Sequence, residues 1–239
     1  MEKGGENMTY VMSDLHGQYD KYRRMLDKIN LGSRDELFIL GDVVDRGPEP
    51  MKILMDMSMR DNVFPIMGNH DYMALHILSK LQVEITDDNY NTQIDAELMR
   101  AMLDWQMDGG NETITDFRKL SADDREFILD YIADFSPYEE LEIGGNRFLL
   151  VHGGVGEAPV SSAEEYDLSE LLTARPDYSH RYFDDRWLVT GHTPTLTIDK
   201  AYDGRIYRAN GHIAVDCGAC FDRPLGCIRL EDFAEFYVE

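Results

Sequence analysis

Leu37-Phe38-Ile39-Leu40-Gly41-Asp42-Val43-Val44-Asp45-Arg46-Gly47 is the stretch whose reading decides the fold. Four apolar residues run into a glycine and two aspartates, closed by Arg46-Gly47-Pro48. That pattern describes a buried strand delivering carboxylates and one cation into the loop at its C-terminal end. Working outward, the same device precedes it in Tyr10-Val11-Met12-Ser13-Asp14-Leu15-His16-Gly17 and follows it in Val63-Phe64-Pro65-Ile66-Met67-Gly68-Asn69-His70-Asp71. It returns in Phe148-Leu149-Leu150-Val151-His152-Gly153-Gly154 and in Trp187-Leu188-Val189-Thr190-Gly191-His192-Thr193. Each time a short apolar run ends in Asp, Asn or His beside a glycine.

Between these units the period changes from two to nearly four. Tyr22, Met25, Leu26 and Ile29 make Tyr19–Ile29 an amphipathic helix, and Pro48–Met59 forms a second one rich in methionine. Strand, helix, strand, helix, strand predicts a parallel or mixed sheet sandwiched by helices, an α/β chain with its site at the strands' C-terminal edge. Residues 72–136 read as a helical insertion, with helices over Tyr72–Leu81, Ala96–Asp104 and Ala122–Phe135. In the last, Phe127, Ile128, Tyr131 and Ile132 face one way, and Ser121 is the expected N-cap. Trp105 to Thr113 reads as a turn-forming loop.

Further on, Leu141–Ile143 and Arg147–Val151 form a hairpin around Gly144-Gly145-Asn146, and Ala163–Leu172 is helical. Thr195–Tyr207 and Ile213–Val215 are expected strands around Asp203-Gly204 and Asn210-Gly211, and two more close a meander. The expected organisation is one domain over 8–239 behind a flexible extension at 1–7.

Bulk composition sets limits. A hydrophobic content of 43% is enough for a sizeable core in 239 residues. The net charge of −23 argues against unassisted binding to nucleic acid or to an anionic membrane. No apolar run spans a bilayer, the N-terminus has no secretory h-region, and three cysteines suit a reducing compartment, so a cytoplasmic protein is expected. Cys217-x-x-Cys220 has neither a second pair nor a histidine at finger spacing, which favours buried thiols over a zinc site. His76, His180 and His212 lie outside the strand–glycine context and read as structural or solvated. The sequence carries no signal for an oligomeric state.

The five loops together present Asp14, His16, Asp42, Asp45, Arg46, Asn69, His70, Asp71, His152 and His192. Carboxylates and imidazoles without thiolate suit manganese, iron or zinc better than calcium. The set is too rich for one ion and divides into two shells if one carboxylate bridges. Two such ions, ~3.5–4 Å apart, can lower the pKa of a bridging water and grip a phosphate undergoing in-line displacement.

These motifs resemble the signatures of the phosphoprotein phosphatase branch of the calcineurin-like metallophosphoesterases, in order over residues 10–220. Within it the chain is most similar to the bacterial and phage enzymes of the bacteriophage lambda type, and Trp105-x-x-Asp108-Gly109-Gly110 resembles their Trp-x-x-Asn-Gly-Gly element. The resemblance implies a sandwich of two mixed β-sheets flanked by helices. It implies two divalent metal ions, manganese first. Asp14 and His16 would hold one, Asp42 would bridge, and Asn69, His152 and His192 would complete the second shell.

It further implies direct attack by a metal-bridging hydroxide, with His70 as general acid oriented by Asp45 and Arg46 clamping phosphate. Arg175, ahead of Arg181, is the candidate second phosphate-binding arginine. The implied activity is that of a serine/threonine protein phosphatase on phosphoproteins or small phosphoesters, since His16 and Asp45 agree with that group. The Gly68-Asn69-His70-Asp71 form points to the alternative, a symmetrical diadenosine tetraphosphatase or other nucleotide hydrolase.

Overall fold

The computed structural model describes residues 7–82, 95–156 and 165–239. The expected extension at 1–7 therefore falls almost wholly outside the described residues.

The organising stretch forms strand β2 (Glu36–Leu40), flanked by β1 (Thr9–Met12) and β3 (Val63–Ile66), and all three run parallel. Helix α1 (Tyr19–Ile29) connects β1 to β2, and α2 (Pro50–Ser58) connects β2 to β3. The later strands are β4 (Tyr138–Ile143), β5 (Asn146–Val151), β6 (Arg186–Thr190), β7 (Tyr207–Ala209), β8 (His212–Ala214), β9 (Leu225–Arg229) and β10 (Glu235–Val238). They complete two mixed sheets, ordered β10-β9-β1-β2-β3 and β4-β5-β6-β8-β7. In the second sheet β5, β6 and β8 are parallel, with antiparallel β4 and β7 at the edges.

Strand periodicity decides which side chains fill which layer. Val11, Phe38, Leu40 and Ile66 point inward and meet Phe148, Leu150, Val189 and Ile213 of the second sheet. Their sequence neighbours Tyr10, Met12, Leu37 and Ile39 point outward, under α1 and α2. Leu149, Val151 and Leu188 do the same on the far side of the second sheet, beneath Val155, Tyr166 and Leu171. With both faces covered, the strands carry the continuous apolar runs seen in sequence. The C-terminal ends of β1, β2, β3, β5 and β6 gather at one edge, where the two sheets meet.

Helix α3 (Asn69–Leu81) starts three residues earlier than expected. Gly68 is its N-cap, and the Asp71 carboxylate reaches back to the Gly68 N–H at 3.1 Å. Asn69 and His70 thus belong to the helix's first turn. The Trp105–Thr113 stretch is not an open loop. Helix Ala96–Trp105 passes through a wide turn at Gln106–Gly110 into helix Asn111–Phe117, with a break at Gly109 where φ is 107°. A Cβ at Gly109 would lie 2.7 Å from Cγ of Arg46, so two requirements select glycine there.

Three more expectations are corrected. Thr195–Tyr207 is not a strand: Thr195–Ile198 is a short helix, Lys200–Tyr202 a single tighter turn, and pairing begins only at Tyr207. Thr195 and Asp199 accept local backbone-closing bonds that compete with an extended ladder. The helix expected over 163–172 is Leu168–Thr173, with 163–164 outside the described residues. In helix Ala122–Ala133, Phe127 is exposed although Ile128 and Ile132 are buried, while Ser121 Oγ accepts the Asp124 N–H as the N-cap. No helix among the described residues is long and apolar enough to cross a membrane.

Candidate active site

Every loop of the site is tied to its neighbour by the backbone. The β1–β2 pairing continues past the strands, with the N–H groups of Asp14, His16 and Gly17 donating to the carbonyls of Gly41, Asp42 and Val43 at 2.9–3.0 Å. At Gly41, where φ is 73°, a Cβ would stand 2.5 Å from the Gly68 backbone and 2.8 Å from His152 Nδ1. Glycine is what allows three loops to close there. Ten non-glycine residues among those described have positive φ, and Asp14, His16, Asp42, Asp45, Arg46 and His192 are six of them. Strain of this kind concentrates where a constellation of side chains must be held.

Asp42 occupies the centre. His16 Nε2 lies 3.6 Å and His70 Nε2 3.9 Å from its Oδ2, while His152 Nε2 lies 3.3 Å from Oδ1. Oδ1 also accepts the backbone N–H of His70 at 3.0 Å. Two groups of side chains bring their donor atoms within 4.8 Å of one another: His16, Asp42 and His70, and Asp42, His152 and His192. Asp42 belongs to both. Asp14 packs beneath, its Oδ2 accepting the His192 N–H at 3.0 Å, and Asn69 Oδ1 lies 3.0 Å from His152 Nε2.

Ring orientation is set by main-chain carbonyls. His16 Nδ1–H donates to Val44 O at 2.7 Å and His152 Nδ1–H to Leu40 O at 2.6 Å, which aims both Nε2 atoms into the cluster. Burial, set against the charge of Asp42, brings the pKa of His16 down to about 3. Burial and the charge of His152 likewise bring His192 to about 3, so both rings are neutral and offer lone pairs. Burial would raise Asp42, yet His152, His70 and His16 hold it well below the usual carboxylate range. Burial would lower His152, but the Asp42 charge and hydrogen bond push it up to about 10. Asp14 rises to about 6 through burial and the charge of Asp42. A low-pKa carboxylate ringed by imidazoles, backed by a second carboxylate and an amide oxygen, is an N/O donor set that fits two divalent cations sharing Asp42.

His70 and Asp45 form a buried pair, His70 Nδ1–H donating to Asp45 Oδ2 at 2.7 Å. Burial lowers the pKa of His70, but the Asp45 bond and the charges of Asp42 and Asp45 outweigh it and raise the group above its ordinary value. The Arg46 guanidinium reaches His16 Nε2 at 2.7 Å, His70 Nε2 at 2.8 Å and Asp108 Oδ1 at 3.1 Å. Arg175 lies beside His192, its Nη1 donating to Thr193 Oγ1 at 3.2 Å. Arg181 instead turns to the carbonyls of Phe183 and Asp184.

The structure gives roles to residues that the sequence either left unassigned, as with Asp71 and Trp105, or did not single out, as with Asp216 and Phe221. Asp45 accepts from Trp105 Nε1 at 2.7 Å and from Thr113 Oγ1 at 2.6 Å, so the helical insertion holds the Asp45–His70 pair. Asp71 accepts the N–H groups of Val43, Val44 and Gly68 at 3.0–3.3 Å, clamping the β2 loop to the β3 loop. Asp216 is buried near Asp14, and burial plus that charge raises it well above the carboxylate range. It repeats the strand–acid–glycine device after Ile213-Ala214-Val215, which is the signal that could have found it. Phe221 stacks on Arg46 at 5.5 Å, a contact with no local sequence signature. Of the cysteines, Cys217 and Cys227 are buried and Cys220 is half-buried, its thiol pushed up to about 11 by burial against the opposing Arg46 charge. His212, read as structural or solvated, is buried, opens β8 and donates from Nε2 to the His180 carbonyl at 2.7 Å.

Comparison with known proteins gives the constellation a context. A profile described as calcineurin-like phosphoesterase matches residues 9–216. A protein of Delftia acidovorans named bis(5'-nucleosyl)-tetraphosphatase, symmetrical, is 35% identical over 191 residues, 74% of this chain and 58% of that one. One of the same name from Acidovorax ebreus is 31% identical over 158 residues, covering 65% and 46%. The chain thus spans about half the length of these relatives. Among solved structures, a candidate diadenosine tetraphosphatase superposes with TM-score 0.67 at 14% identity over 98% of this chain and 94% of that one. A serine/threonine phosphatase from Saccharomyces cerevisiae does so with 0.62 at 16%, over 96% and 74%. These two likenesses concern the fold.

The expectation of a serine/threonine protein phosphatase is corrected by the relatives' names. The physical reason is that the roles expected of Arg46, the Asp45–His70 pair and the metal-binding set concern a phosphoryl group whatever it is attached to. The motifs do not encode the groups that select what is attached.

The Asp45 contacts yield a stability prediction. Trp105→Phe keeps the ring in its buried place and deletes one donor to a buried carboxylate. It should cost about 1.5–3 kcal/mol, the usual worth of a bond to a charged group. Urea unfolding with an unchanged far-UV spectrum checks this, and an unaltered midpoint would contradict it.

Proposed function

The chain belongs to the calcineurin-like phosphoesterase family, and from that premise we propose that it hydrolyses dinucleoside polyphosphates, cutting a tetraphosphate chain into two nucleoside diphosphates. The observation that carries this reading is the 35% identity, over 191 residues, to a protein named as a symmetrical tetraphosphatase. The short Asp71 side chain supports it. Its two oxygens already accept three N–H groups between the loops, a place that fits aspartate without an added methylene.

In this reading Asp14, His16 and Asp42 would hold one divalent ion, and Asp42, Asn69, His152 and His192 the other. Bound there, such ions supply Lewis-acid charge to phosphate oxygens and acidify water. Manganese leads iron and zinc for this donor set.

The protein's own groups do the rest. Arg46, with its fork of donors, orients the phosphate and stabilises charge on its equatorial oxygens. Arg175 offers a second cation beside His192. His70 gives its Nε2 proton to the leaving oxygen as the P–O bond breaks, while Asp45, held by Trp105 and Thr113, keeps the proton on Nδ1. A nucleoside diphosphate is a far better leaving group than an alkoxide, so His70 has less to contribute to the anhydride than to an alkyl ester.

The direct test incubates the manganese-loaded protein with diadenosine tetraphosphate, a phosphoserine peptide and nitrophenyl phosphate. The specificity constant should be greatest for the dinucleotide, with ADP as its product; preference for the peptide would sink the reading. His70→Asn should cost about 10²–10⁴-fold on an alkyl phosphomonoester and distinctly less on the dinucleotide. Because the His70 pKa is raised, its acid form persists above the ordinary imidazole value, and the rate should fall as pH climbs through that raised pKa. Asp45→Asn should move this basic limb to lower pH; a limb that stays put removes Asp45 from the role. Asp42→Asn should bind fewer than two manganese equivalents by calorimetry, whereas full stoichiometry would refute the shared ligand.

A further inference from the structure

Beside the cluster, between helix α3 and helix Leu168–Thr173, lies a groove of about 430 Å³, in the range of small-molecule pockets. Its floor and walls are Met73, Leu172, Leu168 and the ring of Tyr72, with Asp167 and Ser169 at the rim. Asn69 closes the inner end, and its Oδ1 lies 3.0 Å from His152 Nε2. The groove is therefore continuous with the proposed metal centre. Tyr72 is 45% and Leu168 41% exposed, so two large apolar side chains stand open on opposite lips of one concavity. Scattered surface apolar residues need no explanation, but a facing pair beside a reactive centre does.

We propose that this groove takes one nucleoside of the dinucleotide, its base stacked on the Tyr72 ring and against Leu168 while the adjoining phosphates run over Asn69 toward Arg46. This rests on the hydrolase reading above. Three features select a nucleoside over other parts of the substrate. The walls are apolar, which excludes the phosphate chain. The rim carries Asp167, an acceptor suited to ribose hydroxyls or a base amino group and hostile to phosphate. The occupant must also be joined directly to a phosphate lying at Asn69, which a nucleoside is. An aromatic face accepts any base, so the groove binds nucleosides as a class without choosing sharply among them.

The test compares kcat/KM for diadenosine tetraphosphate with that for dimethyl tetraphosphate, the same anhydride chain without nucleosides. Tyr72→Ala deletes the stacking face, and Ser169→Trp, at an exposed position, fills the groove instead of emptying it. Each should lower the ratio of the two specificity constants by roughly tenfold or more, the usual worth of one stacked base, chiefly through KM for the dinucleotide. Tyr72→Phe should restore it. A ratio unmoved by both variants overturns the groove while leaving the hydrolase reading in place. So does a wild-type protein that cleaves the two substrates equally well. If the wild type cleaves neither, the hydrolase reading fails and the groove falls with it. If the variants impair only a phosphopeptide, its occupant is a peptide and the proposal is wrong.

Discussion

A single carboxylate, Asp42, carries the constraint on which the site depends. It is buried at the seam between two sheets and surrounded by His16, His70 and His152, rings that come from three different strand ends. An ionised carboxylate there is tolerable only because imidazoles and a backbone N–H face it. The reverse also holds. The neutral ring of His16 and the raised pKa of His152 follow from burial weighed against the Asp42 charge, and burial with the charge of His152 keeps His192 neutral. Moving Asp42 would upset the protonation of the whole cluster. The left-handed backbone of its loop and the close approach of Gly41 to Gly68 are the local cost of keeping it there.

Around that carboxylate the protein is built in two tiers. The first presents lone pairs and protons: the four histidines, Asp14, Asn69 and Arg46. The second holds those groups still: main-chain carbonyls of Leu40 and Val44 on His152 and His16, Asp71 bridging two loops, and Trp105 with Thr113 on Asp45. The helical insertion is thus part of the site's rigidity. It also brings Asp108 to Arg46, an acidic contact that restrains the arginine. A net charge of −23 would repel a polyanionic substrate of the proposed kind at long range, so its attraction would have to be local, from Arg46, Arg175 and cations held by the cluster.

Much of this was legible in the chain because strand ends are local features. An apolar run closed by glycine and a polar residue states its own geometry, and Tyr19–Ile29 carries its helical period openly. Where the reading went astray, tertiary contacts had overridden local preference. Trp105–Thr113 contains two glycines and reads as a turn, yet burial of Trp105 and Thr113 against Asp45 holds it helical around Gly109. Thr195–Tyr207 has the composition of a strand, but its polar side chains close turns on themselves.

The sequence alone determined the alternation of strands and helices, and hence a parallel or mixed sheet with a row of acids, imidazoles and one arginine at its C-terminal edge. Those follow from periodicity and from residue chemistry, both written within a few positions of each residue. Only the tertiary structure set Asp42 among the donor atoms of both histidine groups, brought Arg175 to Thr193 while Arg181 turns to Phe183 and Asp184, and packed Asp71, Trp105 and Asp216 around the cluster. It also placed Tyr72 and Leu168 across one groove. Those facts depend on which surfaces meet between residues far apart in the chain, and no local pattern of side chains records a meeting of that kind.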